Sequence, residues 1–259
     1  EPQFKLGKTI IISGTNGKGT VANILNRIYV DSGYKVGLYT SPHLVSLNER
    51  IRIRDKKIDS RILDSYLNKV IKAGLRINCK LSFFELLTAT TILYFAQKKN
   101  DLNIFEVGLG GRFDATNVIK SKIGIITNIE MDHMEYLGNS LREIAYEKIG
   151  IINNNSKLIT SVKSSLMQTI KKYCLKNGTE IFKLNSDFNT FKENEYYIYE
   201  SPKFNLKFKS QLDASHQVQN LGVSIKTTEI INTEYGLKIT KKQLKESLRN
   251  AFNPGRFQI

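Results

Sequence analysis

Long apolar runs are missing from this 259-residue chain, and cysteine is scarce. No stretch approaches the roughly 18 apolar residues that a membrane-spanning helix needs. The opening EPQFKLGK has no apolar stretch of the kind found in a signal peptide. Cys79 and Cys174 lie far apart without the spacing of metal ligands. We therefore expect no membrane partner, and we expect free thiols in a reducing cytoplasm.

Acidic residues are also in deficit, since 24 Asp and Glu stand against 39 Lys and Arg, which gives a net charge of +15. Such an excess favours anionic partners: nucleotides, polycarboxylates or nucleic acid. The lysines are scattered and aromatic residues are not interleaved with them, which is not typical of a nucleic-acid surface. We expect no nucleic-acid partner, and a nucleic-acid-binding ATPase remains the less favoured alternative.

Strand and helix patterns alternate along most of the chain, of which 41% is apolar. Short apolar runs predict strands at 8–13, 35–40, 103–107, 122–128, 157–161 and 180–184. Helical spacing predicts helices at 20–31, 60–73, 82–99, 164–177, 215–234 and 240–253, and one that begins at 140. This order predicts an α/β fold of the P-loop type, with a doubly wound, mostly parallel sheet and flanking helices. A small β-hairpin insertion is predicted near 190–210.

The stretch GTNGKGT, which follows the apolar run 9–13, has the form of a phosphate-binding loop between a strand and a helix. Its spelling differs from the common G-x-x-x-x-G-K-[ST], yet glycines let the backbone approach phosphate and the next helix aims its N–H groups at the anion. Lys18 would lie against the β- and γ-phosphates, and the Thr20 hydroxyl would bind Mg²⁺. The predicted nucleotide-binding residues of this loop are Gly14, Thr15, Asn16, Gly17, Lys18, Gly19 and Thr20.

Further motifs follow in order: YTSPHL at 39–44, NERI at 48–51, FEVGLGGRFDATN at 105–117, TNI at 127–129, DH at 132–133, IAYEKIG at 144–150, HQ at 216–217 and PGRF at 254–257. With the glycine loop, they make the chain resemble the folylpolyglutamate synthases and dihydrofolate synthases, members of the Mur-ligase group. The resemblance implies a Mur-ligase central domain and an ATP-dependent ligase of folate biosynthesis. Such an enzyme adds L-glutamate to dihydropteroate or to tetrahydrofolate polyglutamates through an acyl phosphate. A monomer in the cytoplasm is expected.

The resemblance also implies site residues. Two Mg²⁺ ions would be bound by Thr20, Ser41, Glu106, His133 and Lys148, the last of them carbamylated. ATP would further contact Asn220 and Arg256, and the pterin substrate would contact Ser82, Glu85 and Asp114. The catalytic residues would be Lys18, His133 and Lys148.

The residues themselves support this set unevenly. Glu106 ends a buried strand before a glycine segment, where a carboxylate needs a partner. Lys148 lies on an apolar helix face, where either snorkelling at the edge or a special environment is possible. Mg²⁺ prefers oxygen donors, so chemistry alone favours Asp132 over His133, whereas the resemblance favours His133. Ser82 and Glu85 form a capping box, which explains them without any ligand.

Members of that family continue beyond PGRF into a second domain. We therefore expect residues 1–253 to form the ATP-binding domain of a longer enzyme and 254–259 to begin a linker. This piece is expected to bind Mg·ATP weakly and to ligate poorly or not at all. A Mur-type cell-wall amino-acid ligase remains the nearest alternative.

Overall fold

The computed structural model describes residues 1–251, so Arg256 and the predicted boundary at 253–254 lie outside the described residues. The main sheet consists of β1 Thr9–Ser13, β2 Val36–Tyr39, β3 Ile51–Ile53, β4 Lys56–Lys57, β5 Leu102–Glu106, β6 Ile123–Ile126, β7 Lys157–Thr160 and β8 Glu180–Lys183. A separate antiparallel sheet consists of β9 Asn189–Glu193, β10 Tyr196–Ser201 and β11 Phe204–Phe208. The predicted strands are confirmed to within two residues at each end.

The predicted helices are confirmed, except that the helix predicted at 240–253 ends at Arg249, and the short helix at Met134–Leu137 was not predicted. They are α1 Lys18–Asp31, α2 Ser60–Arg76, α3 Phe83–Lys98, α4 Met134–Leu137, α5 Leu141–Ile149, α6 Met167–Lys176, α7 Ser215–Glu234 and α8 Lys241–Arg249. The capping box of Ser82 and Glu85 starts α3 as predicted. At α5, the Ser140 hydroxyl accepts the Glu143 N–H, but the Glu143 carboxylate accepts the N–H of Asn139 at 2.8 Å. The Ser140 hydroxyl therefore caps α5, but the return hydrogen bond of a full capping box is absent, because the carboxylate accepts the N–H of Asn139 rather than that of Ser140.

The main sheet has the order β4-β3-β2-β5-β1-β6-β7-β8. The six strands from β2 to β8 in this order are parallel, while β3 and β4 extend one edge in antiparallel fashion. From β1 the chain crosses to β2 on one side, and from β5 it crosses back to β6 on the other side of β1. In such a sheet the ligand crevice lies outside the carboxyl ends of the strands at this change of direction.

The strands at the centre are buried on both faces, which is why they read as unbroken apolar runs. Ile10 and Ile12 of β1 point into a core shared with α1, α7 and the separate antiparallel sheet. Ile11 points the other way, into a core shared with α3, α5 and α6. This alternation fixes the register of β1, because a slip by one residue would exchange the two faces.

The structure corrects two local predictions and adds one hairpin that was not predicted. The hairpin near 190–210 belongs to a three-stranded sheet, because residues 189–193 pair with β10 as well. The sequence of β9, NTFKE, contains only one large apolar side chain, which is too weak a pattern to predict a strand. The helix predicted from 164 begins as a 3₁₀ turn, Ser164–Leu166, before α6. The hairpin of β3 and β4 was not predicted, since the two strands together contain few residues.

The described residues include no helix that is both long and apolar enough to span a membrane.

Candidate functional site

The glycine loop follows β1 directly and leads into α1. Gly17 is the N-cap of α1 with φ at 83°, and as a glycine it has no side chain to cap this helix. The first N–H groups of a helix lack intrahelical partners and carry the positive end of its dipole, so this start is suited to an anion. Lys18 donates from Nζ to the carbonyl oxygens of Gly14 and Thr15 at 2.8 and 3.2 Å. The loop therefore brings an ammonium group and helix N–H groups together.

The segment after β6 holds the loop in shape. The N–H of Thr15 donates to the carbonyl of Asn128 at 3.0 Å, and the N–H of Asn16 donates to its side-chain Oδ1 at 2.7 Å. The Glu130 N–H donates to Thr15 Oγ1 at 3.1 Å, and Thr127 Oγ1 donates to the carbonyl of Asn16. These contacts follow from the topology, because Ser13 of β1 lies beside Ile126 of β6.

Glu106 lies at the end of β5, opposite Ile12 of β1. Its side chain is 4% exposed, and its Oε2 accepts the N–H of Ser41 at 3.0 Å. A Cβ added to Gly19 would lie 3.4 Å from its Oε1, so the carboxylate faces the start of α1. The structure therefore places Glu106, Ser41 and the glycine loop in direct contact.

The donor set at this point fits a Mg²⁺ ion shared with a nucleotide. The buried Thr20 hydroxyl and the Glu106 carboxylate are hard oxygen donors, and Mg²⁺ is usually bound by one or two carboxylates together with phosphates and water. Residues 1–251 contain no group of three or more His, Cys, Asp or Glu side chains placed to hold a metal by themselves. An ion here would therefore depend on oxygen atoms from its ligand.

Lys148 lies on α5 and is only 2% exposed. Burial, chiefly, and the positive charge of Lys18 lower the pKa of Lys148 to about 8, against the opposing effect of the Asp132 carboxylate. The sequence left a snorkelling lysine open as an alternative, and this burial contradicts it. An amine with a depressed pKa carries a neutral, nucleophilic fraction near neutral pH.

His133 precedes α4 in a left-handed conformation, with φ at 47°. Such a conformation is uncommon outside glycine and is frequent at functional sites. Its side chain is 56% exposed, and its Nε2 lies 3.6 Å from Asp132 Oδ1. The imidazole and the carboxylate thus stand together, so the choice of His133 as the metal ligand stays a prediction.

A cavity of about 330 Å³ opens between the glycine loop, the segment after β6 and the start of α7. Its lining consists of Asn16, Gly17, Thr127, Asn128, Glu130, Ser161, His216, Gln219 and Asn220. Asn220 is 6% exposed and donates from Nδ2 to Gln217 Oε1 at 3.0 Å. An amide fixed in this way can recognise a base by its remaining donor and acceptor positions. The structure places Asn220 beside the glycine loop, and its predicted contact with ATP remains a prediction.

A second cavity, of about 340 Å³, borders the glycine segment 109–111. It is lined by Ser82, Phe84, Glu85, Leu109, Gly110, Gly111, Phe113, Asp114, Ala115, Tyr136, Leu137 and Glu147. All three predicted pterin-binding residues are therefore in one cavity. The segments that border the two cavities are in contact, because Ser13 Oγ, next to the glycine loop, donates to the carbonyl of Gly110 at 2.6 Å.

Two of these residues have structural tasks as well. The Asp114 carboxylate accepts the N–H groups of Gly108, Leu109 and Thr116, so it fixes the loop that borders the cavity. Burial raises the pKa of Asp114, while these hydrogen bonds lower it. Glu85 accepts the N–H of Ser82 at 2.7 Å, and this capping box lowers the pKa of Glu85.

A clash is expected if Gly17 is replaced by alanine. Its φ is 83°, and the new Cβ would lie 2.5 Å from Asn220 Oδ1, so the loop or the Asn220 amide must move. We expect nucleotide affinity to fall by about tenfold or more, since this displacement costs on the order of 1–3 kcal/mol. Gly33→Ala is the matched control, because Gly33 has φ at 91° with nothing within 4 Å of the added Cβ. Calorimetric titration with a Mg·ATP analogue compares the two, and equal affinities would contradict the geometry.

Comparison with known proteins agrees with this architecture. The model of the Mur ligase middle domain family matches residues 12–228. The dihydrofolate synthase/folylpolyglutamate synthase of Buchnera aphidicola from Acyrthosiphon pisum is 35% identical over 96% of this chain and 58% of its own length. The enzyme of the same name from Bacillus subtilis is 33% identical over 100% of this chain and 63% of its own.

The structure of E. coli FolC in complex with DHPP and ADP is similar, with a TM-score of 0.90 and 28% identity over 100% of this chain and 62% of that one. The chain thus spans about six-tenths of the length of these relatives. The matched region begins in β1, includes the glycine loop and extends through most of α7. The chain therefore belongs to the Mur ligase family, in which it resembles the folylpolyglutamate and dihydrofolate synthases.

Proposed function

We propose that this chain supplies the ATP-binding part of a ligase that adds L-glutamate to dihydropteroate or to folate polyglutamates. The observation that carries the proposal is the pair of cavities on segments that contact each other, one at the phosphate-type loop and one bordered by residues 82–85 and 109–115. The similar E. coli protein was solved in complex with DHPP and ADP. Two nearby cavities suit a reaction that joins a phosphoryl donor to a separate carboxylate acceptor.

The chemistry requires activation of a carboxylate, which is a poor electrophile at neutral pH. Transfer of the γ-phosphoryl group from ATP to a carboxylate oxygen of the pterin substrate forms an acyl phosphate and releases ADP. The amine of glutamate then attacks the acyl carbon, and phosphate leaves as the amide forms. Phosphoryl transfer depends mainly on positioning and on neutralising charge.

The residues of the chain divide this work. The start of α1 and Lys18 neutralise phosphate charge, and Glu106 and Thr20 hold the position where Mg²⁺ would bind. Mg²⁺, when bound, supplies positive charge to the transferring phosphoryl group. Ser41 is held against Glu106 through its backbone N–H, and its side-chain oxygen would be a further ligand of the ion. His133 and Lys148, the latter as a carbamate, complete the proposed set for a second ion.

We further propose that the protein acts as a monomer in the cytoplasm, with Arg256 reaching an ATP phosphate. Residues 1–253 would form the domain and 254–259 the start of a linker. In this proposal the scattered basic residues do not bind nucleic acid.

Equilibrium binding tests the proposal. We expect the chain to bind Mg·AMPPCP and, in its presence, to bind dihydropteroate more tightly than a UDP-muramoyl substrate of a cell-wall ligase. Calorimetric titration with each compound measures both. Preference for the UDP-muramoyl compound would transfer the assignment to the cell-wall branch. Lack of any nucleotide binding would contradict the proposal as a whole.

A further inference from the structure

An arginine on the edge hairpin reaches the helix of the glycine loop. Arg52 lies on β3, and the turn to β4 is formed by Arg54 and Asp55, both with positive φ. Positive φ at both central positions is typical of a tight two-residue hairpin turn. The Arg52 side chain is only 15% exposed, which is unusual for an arginine.

The guanidinium group of Arg52 contacts α1 through a side-chain amide. Its Nη2 donates to Asn23 Oδ1, and Asn23 Nδ2 donates to the carbonyl oxygen of Gly19 at 2.8 Å. Arginine has no acceptor, so it can meet only the oxygen of the amide. This fixes the orientation of the Asn23 amide and leaves its NH₂ group for Gly19. A continuous path of hydrogen bonds thus runs from the hairpin to the glycine loop.

A parallel path supports the first. Arg52 Nη1 donates to Asp55 Oδ1 at 3.0 Å, and Asn26 Nδ2 of α1 donates to the same oxygen at 3.1 Å. Asp55 therefore both holds the guanidinium and docks the hairpin turn on the third turn of α1. The hairpin contacts α1 at Asn23 and at Asn26, one helical turn apart.

Stability alone does not explain this network. Arg52 Nε and Asn26 Oδ1 are buried without a hydrogen-bond partner among residues 1–251. A buried polar group left unpaired costs free energy, and an apolar side chain would avoid that cost. Burial lowers the pKa of Arg52, while Asp55, Glu49 and Glu106 raise it, so the guanidinium lies within the electrostatic reach of Glu106.

The point of contact decides what the network can do. Gly19 lies between Lys18 and Thr20, and a Cβ at Gly19 would be 3.4 Å from Glu106 Oε1. A shift of the Gly19 carbonyl therefore changes the separation of Glu106 from the start of α1, where the Thr20 hydroxyl lies. A displacement of this kind would weaken the binding of Mg²⁺, because this ion tolerates little departure from octahedral geometry.

We infer that Arg52 is a positioning residue that, through Asn23, sets the first turn of α1 against Glu106 for binding of Mg·nucleotide. The inference rests on the proposed function, because it assumes that Glu106 and Thr20 serve a Mg²⁺ ion. Arg52 itself touches neither the nucleotide loop backbone nor Glu106 through any described hydrogen bond; it acts through Asn23.

The test measures AMPPCP affinity with Mg²⁺ and with EDTA for Arg52→Met, Asn23→Ala and the double variant. We expect the dissociation constant in Mg²⁺ to rise about tenfold for each single variant, as for loss of one charged hydrogen bond. The double variant should be no worse than the single variants, because both break one path. In EDTA the affinity should change little. A merely structural role would weaken binding equally with and without Mg²⁺, or would lower the melting temperature alone.

Controls separate the possible failures. Arg27→Met removes another arginine ion pair, with Asp31 of the same helix, and should leave the affinity unchanged. Arg52→Lys keeps the positive charge and should perturb folding less than Arg52→Met does. We expect it to recover part of the Mg²⁺-dependent affinity that Arg52→Met loses. Unchanged affinity in Arg52→Met and Asn23→Ala would overturn the inference while the proposed function stands. A wild-type chain that binds no Mg·AMPPCP would overturn the proposed function and this inference with it.

Discussion

Replacement of Glu106 by glutamine is expected to weaken Mg·AMPPCP binding by about a hundredfold, as for loss of one partner of a buried charged contact. Glutamine has the same shape, and its carbonyl oxygen can still accept the N–H of Ser41, which Glu106 accepts at 3.0 Å. The negative charge is lost, and an NH₂ group takes the place of one carboxylate oxygen. The carboxylate is 4% exposed, so water screens its attraction to a cation poorly.

Titration calorimetry in Mg²⁺ and in EDTA measures this loss. In EDTA we expect the variant to bind AMPPCP as well as the wild type or better, because a negative charge near the triphosphate has been removed. Glu229→Gln is the matched control: this half-buried carboxylate accepts hydrogen bonds from Tyr199 and Ser201, far along α7 from the glycine loop. Equal affinity of Glu106→Gln and wild type in Mg²⁺ would remove Glu106 from the metal site.

Replacement of Lys148 by methionine is expected to make the ligand-free protein more stable while it weakens nucleotide binding. Burial, chiefly, and the charge of Lys18 lower the pKa of Lys148 from 10.5 to about 8. Between pH 8 and pH 10.5 the unfolded chain therefore holds more protons at this residue than the folded one, so the free energy of unfolding rises with pH in that window. Below pH 8 the full penalty of the buried charge is present. Methionine removes it, which amounts to up to about 3 kcal/mol at pH 7.

Chemical denaturation at pH 7 and pH 10 measures the stability. The gain of Lys148→Met over wild type should be large at pH 7 and should shrink at pH 10, whereas Lys171→Met, an exposed lysine on α6, should show no such dependence. Affinity for Mg·AMPPCP should fall about tenfold, since the proposed carbamate ligand is lost. A Lys148→Met variant that is less stable at pH 7 would show that the lysine is paired favourably in the folded protein.

The depressed pKa also makes the Lys148 amine readier to react with carbon dioxide than the amines of Lys157 and Lys209, because ion pairs raise the pKa values of those two lysines. Carbamylation converts the buried cation into an anion able to bind a divalent ion. Intact-protein mass spectrometry at high bicarbonate should detect the adduct on the wild type and not on Lys148→Met. Short carboxylates should restore part of the Mg·AMPPCP affinity of Lys148→Ala, and a complete failure of rescue would count against the carbamate.

The sequence predicted the parallel sheet well because its central strands are buried on both faces and read as apolar runs. It also predicted the chemistry of the strand ends: GTNGKGT after β1 and Glu106 at the end of β5. What it could not provide was the strand order. Only the placement of β1 between β5 and β6 shows why Asn128 and Glu130 hold the loop, and these residues had no role before the structure.

The hairpin of β3 and β4 shows the same limit. Its residues are few, and neither IRI nor KK gives a pattern long enough to separate from a loop. The partnership of Arg52 with Asn23 depends on the hairpin turn reaching α1, which no local sequence signal encodes. Arg256 lies outside the described residues, so its predicted contact with ATP stays a prediction.

A crystal structure of the chain with Mg²⁺ and AMPPCP tests the central claim most directly. We predict the triphosphate against the backbone N–H groups of residues 14–20, with an ion between the phosphate oxygens, Thr20 Oγ1 and the Glu106 carboxylate. The base should occupy the cavity beside Asn220. A nucleotide bound elsewhere, or an ion that Glu106 does not contact, would contradict the account.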